Sequence, residues 1–127
     1  MVAVDPMIGA KLFGSGLNTL SVAAIIQDVV SGISAAGTNQ PTATGLINAV
    51  NVVSTVASGS GAILLSTAGI GDSQLVFNGG ANALRIYPPS GMQINALSAN
   101  THMTLPTNTA CRFTMVSATQ WIAELSA

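Results

Sequence analysis

The sequence predicts a mainly β fold: an antiparallel β-sandwich or jelly-roll-like domain of about eight strands over residues 40–127, preceded by an N-terminal arm with a short helix over residues 1–39. Three observations predict it. From Gly37 onward, turn signals recur every eight to twelve residues or so: SGSG, TAGIGD, NGGAN, PPSG, SANT, PTNT and SAT. Between them the chain alternates. Cys111, Phe113 and Met115 share one parity against Arg112 and Thr114, and Trp121, Ala123 and Leu125 oppose Glu124. Ahead of Gly37 the period changes to that of a helix.

Residues 1–16 carry Pro6, Gly9, Gly14 and Gly16 with no regular period, the mark of an extended arm held where another surface meets it. From Leu17 to Ala36, Val22, Ile25, Ile26, Val29, Val30 and Ile33 fall on one helical face. Thr19 or Ser21 can cap its start and Gly37 its end. The stripe is all β-branched, which lowers helix propensity and keeps a pair of strands open as the alternative. Gly37 to Gly45 (GTNQPTATG) is a linker by composition. Strands are placed at Leu46–Val56, Ala62–Ser66, Gln74–Asn78, Ala83–Tyr87, Gln93–Leu97, Met103–Leu105, Cys111–Ser117 and Gln120–Leu125. No tandem repeat is visible.

The most informative stretch is Asn78 to Asn100, NGGANALRIYPPSGMQINALSAN. Asn78-Gly79-Gly80 suits the positive backbone angles of a tight reversal. Leu84 and Ile86 then face one way, Arg85 and Tyr87 the other. Pro88-Pro89 stops ladder pairing for want of N–H groups, and Ser90-Gly91 turns the chain into the next strand.

That stretch resembles a small β-rich module of tailed-bacteriophage virion proteins, with a pattern like N-x-G-A-N-x-L-x-V-Y-P-x-x-G-x-x-I-N-x-L-x-A-N. The matching positions are Asn78, Gly80, Ala81, Asn82, Leu84, Ile86, Tyr87, Pro88, Gly91, Ile94, Asn95, Leu97, Ala99 and Asn100. It extends more weakly over residues 40–127. The resemblance implies a virion structural protein, and compact size favours a capsid decoration (cement) protein over a shaft. The partners expected are sister subunits, as a homotrimer, and the major capsid protein on the phage head surface. Lys11, Leu12 and Phe13 of the arm, with Tyr87 and Trp121, are the candidate subunit or capsid contacts, although a core position for Trp121 is the more ordinary role of a lone strand tryptophan. The alternative function is a receptor- or glycan-binding module of a head fibre or tail.

Composition agrees with assembly. Only 6% of the 127 residues are charged and 49% are hydrophobic, with a net charge of −1. Soluble domains average about 25% charged residues, so little repulsion holds copies apart. Lys11, Arg85 and Arg112 are too scattered to grip a phosphate backbone, so no nucleic-acid partner is expected. Leu12 to Gln27 is free of charge but polar at Ser15, Asn18, Thr19 and Ser21. It is shorter than the roughly 20 apolar residues of a membrane span, and the start lacks a basic region leading an apolar run. The expectation is synthesis in the host cytoplasm with no membrane partner.

Chemistry is sparsely provided. One histidine, His102, and four carboxylates, Asp5, Asp28, Asp72 and Glu124, show no catalytic spacing. GISAAG (Gly32–Gly37) places its second glycine one position too late for a nucleophile elbow, and SGSG lacks the Lys-Ser/Thr of a phosphate loop. His102 with Cys111 makes two metal ligands at most, too few for structural zinc. Cys111, in phase with Phe113 and Met115, reads as core. No enzyme, cofactor or metal is expected.

Overall fold

The computed structural model describes residues 28–126. Within them the protein is mainly β, with ten strands and a single 3₁₀ turn, Gln40–Thr42. The strands are β1 (Val29–Ala35), β2 (Thr44–Gly45), β3 (Val50–Val56), β4 (Gly61–Ile63), β5 (Ser73–Asn78), β6 (Leu84–Tyr87), β7 (Gln93–Ile94), β8 (Met103–Leu105), β9 (Thr109–Met115) and β10 (Gln120–Leu125). A six-stranded sheet has the order β1-β3-β5-β9-β10-β7 and a four-stranded sheet the order β2-β4-β6-β8.

All eight strands expected after residue 40 are present, but their pairing differs from the expectation. Five of the eight strand pairings are parallel, where an antiparallel sandwich or jelly roll was expected. Strands β1 to β6 fall alternately in the two sheets, so each returns beside the strand two before it. The chain thus winds like a solenoid, and the turn signals mark corners between sheets rather than hairpins. Parallel neighbours ordinarily need a long crossover in a single sheet; here the opposite sheet is the crossover. Antiparallel pairing appears at the finish, where β8 runs against β6, and β9 runs against both β5 and β10.

The helix expected over residues 17–36 is corrected where it can be compared: its last part is strand β1, paired parallel to β3. Residues 17–27 of that stretch lie outside the described residues. The alternative of strands was favoured by β-branching, and the ladder with Val50–Val56 decides it for β1.

Between the sheets lies one core. Val53, Val76, Phe113 and Trp121 from the larger sheet meet Ala62, Leu84, Ile86 and Leu105 from the smaller, with Leu46, Leu64 and Met92 filling in from the corners. Cys111 is buried here as expected. Three amides share this interior and are satisfied. Gln74 donates from Nε2 to the carbonyls of Leu46 (2.7 Å) and Asn48 (3.0 Å), and its Oε1 accepts from Leu65 N–H (2.9 Å). Asn78 donates to the carbonyls of Asn82 and Leu105, each at 2.9 Å, and accepts from Gly80 N–H. Asn51 donates to the Asn48 carbonyl at 2.8 Å. Each ties a corner to a strand, replacing hydrogen bonds the ladder cannot make there.

The asparagines of the Asn78–Asn100 pattern act as such braces. Asn82 donates to the Val56 carbonyl (2.8 Å), Asn95 accepts from Ala123 N–H (2.9 Å), and Asn100 accepts from Gly91 N–H (2.6 Å) and Gln40 (3.1 Å). The Gly79-Gly80 reversal is a further correction, since neither residue has a positive φ. Gly80 is needed for closeness instead: a Cβ there would lie 2.7 Å from Val56 Cγ2 and 2.8 Å from Val56 N.

Candidate interaction surfaces

Strand parity divides the six-stranded sheet into an inner face, holding Val53, Val76, Cys111 and Phe113, and an outer one. Cross-strand register lines up the outer residues. Val29, Val50, Leu75, Arg112 and Glu124 form one row across five strands. Val52, Phe77 and Ala110 form a second, and Ser73, Thr114 and Ile122 a third. Seven of these eleven residues are apolar. Val29 is 57% exposed and Ile122 40%, while Val50, Val52, Leu75 and Phe77 are partly exposed. The two charges of this face, Arg112 and Glu124, are direct cross-strand partners of opposite sign at one side. An ordinary half-solvated sheet would put polar side chains here.

The residues singled out from sequence lie elsewhere. Trp121 is fully buried in the core, and its indole N–H approaches Met92 Sδ at 3.4 Å. Tyr87 was expected to meet solvent or a neighbour but is only 6% exposed. It lies on the outer side of the four-stranded sheet, where its hydroxyl donates to the Thr38 carbonyl (3.3 Å). Its ring packs edge-on against His102 at 5.2 Å. Neither residue offers a partner much surface in this arrangement. Lys11, Leu12 and Phe13 lie outside the described residues. The apolar outer face was missed because its members were read strand by strand. Leu75, Phe77, Val50 and Val52 gave alternation with no sign of which parity faced inward.

A second surface feature is a depression of about 390 Å³ on the outer side of the four-stranded sheet, lined by Ser58, Gly59, Asn82, Ala83, Arg85, His102 and Thr104. Arg85, on β6, is the register partner of Gly61 on β4 and Thr104 on β8. Burial, and then the nearby Arg85 guanidinium, hold the His102 pKa below its ordinary 6.5. Among the described residues no three His, Cys, Asp or Glu side chains gather as a metal site, and no helix is long and apolar enough to cross a membrane. Comparison with protein-family models, with curated proteins and with solved structures gave no match.

Proposed function

We propose that this chain is a virion structural protein of a tailed bacteriophage: a capsid decoration protein that assembles as a homotrimer on the outer head surface and braces the major capsid protein. One observation carries the reading, the apolar outer face of the six-stranded sheet, lined by Val29, Val50, Val52, Leu75, Phe77 and Ile122. Exposed apolar area that continues from strand to strand across a sheet is the kind of surface that lasting contacts cover. The resemblance of the Asn78–Asn100 pattern to virion modules adds direction, and the shortage of charge adds tolerance of close neighbours. Function here is contact area rather than reaction. Covering about 300 Å² of apolar surface per subunit contributes roughly 7 kcal/mol gross, before the cost of association. Joining three such contacts in one trimer prolongs attachment further. The two-layer packing around one core is the sense in which we retain a sandwich description.

Co-sedimentation with expanded capsids lacking the protein tests this. Saturable binding in multiples of three per local symmetry position is the expected result, weakened at least about tenfold by Phe77→Lys. Protein that stays in the supernatant at saturating capsid concentrations overturns the capsid assignment.

A further inference from the structure

We propose that the depression around Arg85 is a binding subsite for an acidic sugar, with the sugar's carboxylate or sulfate held by Arg85 and its hydroxyls met by Ser58 and Thr104. The site lies on the four-stranded sheet, apart from the apolar face described above, and does not depend on the capsid reading.

Three features of the structure carry it. First, Arg85 is half-buried, and no carboxylate is among the residues that line the depression. The Arg85 guanidinium therefore has no anionic partner in that wall, and its planar donors match a two-oxygen anion. Second, the neighbouring strand is covered at that point by an aromatic ring and not by a side chain of its own. Gly61, the β4 register partner of Arg85, has no side chain, and a Cβ there would fall 2.8 Å from Tyr87 Cε2. The Tyr87 ring lies across that glycine and, with His102 edge-on to it, closes one end. Third, the rim is built of short polar groups at fixed places. Ser58 and Gly59 come from the β3–β4 turn, Asn82 is anchored on the Val56 carbonyl, and Thr104 stands beside Arg85 on β8.

The size selects among anions. At about 390 Å³ the depression is in the range of small-ligand sites and much larger than a lone inorganic ion requires. A single arginine is too little charge for a polyanionic nucleic acid, whose affinity comes from many phosphate contacts. A hydroxylated ring bearing one anionic group uses both the cation and the polar rim. His102 adds a pH dependence. The groups facing it are Arg85 and Tyr87 from β6, while the β3–β4 turn and Thr104 bring none that titrates near neutrality. An anion seated at Arg85 favours imidazolium, so binding strengthens as pH falls through the lowered pKa of His102.

The test is an amide-shift titration of the full chain with glucuronate, glucose and inorganic sulfate, read on Ser58, Gly59, Arg85 and Thr104. Glucuronate is expected to bind saturably there, at least about tenfold more tightly than glucose, since the difference is one charge-assisted contact. Ser58→Glu, in an exposed turn that leaves the ladders intact, is expected to remove glucuronate binding, as is Arg85→Gln. Equal affinity for glucose and glucuronate overturns the role of Arg85. Sulfate binding as tightly as glucuronate overturns the sugar, leaving a plain anion site. Shifts confined to other residues overturn the site.

Discussion

Gln74 shows how a single side chain can hold two parts of this structure together. It is 3% exposed, and its amide closes hydrogen bonds to Leu46, Asn48 and Leu65 on two different corners. Gln74→Leu keeps the volume and apolar contact but strands the Leu46 carbonyl and the Leu65 N–H, while the Asn48 carbonyl keeps its bond from Asn51. It is expected to cost roughly 3 kcal/mol, read as a fall in the urea midpoint with unchanged slope. Cys111 gives a prediction in pH. Burial, the largest influence, pushes its thiol up to about 11 from an ordinary 9.0, with Glu124 acting in both directions. The unfolded chain therefore loses this proton first. Stability from this group is full below about 9 and is lost as pH climbs through about 11. Urea titrations across that window are expected to show the loss in the natural chain and a smaller one in Cys111→Ala. The sequence placed Cys111 correctly because alternation with Phe113 and Met115 is a local signal. Gln74 carried no such mark, since its partners are set by corners whose meeting is not written in any short run.

At the scale of elements, the Asn78–Asn100 stretch shows both the reach and the limit of reading residues in order. Its strands were legible from alternation, proline and glycine. The reason for its glycines was only half legible. Gly91 does take a positive φ of 83°, as a turn glycine should, with open space around it. Gly80 instead lets the chain pass against Val56 at the end of β3. The two therefore respond differently to alanine. Gly91→Ala is expected to cost about 1 kcal/mol from backbone strain, and Gly80→Ala roughly twice that or more, because backbone must move. Equal thermal shifts for the two variants would contradict this account. Strand pairing was the larger loss. A corner between two sheets and a hairpin within one sheet use the same Gly, Asn and Ser residues, so turn spacing alone left the winding unresolved. Two elements were misread: β1, because Val29, Val30 and Ile33 satisfy the helical spacing as well as a bulged strand, and β2 (Thr44–Gly45), which lies inside the stretch read as a linker.

For the whole molecule, the distribution of polarity matters most. Amides occupy part of the interior, while valine, leucine, phenylalanine and isoleucine occupy the outer side of the larger sheet. If that face is a contact surface, the double variant Val29→Lys with Ile122→Lys is expected to shift sedimentation towards the monomer while leaving the unfolding midpoint within about 0.5 kcal/mol of the parent in stability. A lost midpoint with unchanged sedimentation would instead make the face part of the fold's own support. Composition announced this property in bulk, through few charges and many apolar residues, but could not say where the excess lay. The solenoid winding also has an architectural consequence. Because each turn contributes one strand to either sheet and leans only on its neighbours, the molecule has an adjustable width. Copying the segment from β3 to β4 would insert one strand into each sheet and leave the antiparallel finish as it is. The surface would broaden by one strand spacing, about 4.8 Å. A protein built this way can be matched to wider or narrower seams by counting turns, with no redesign of its ends.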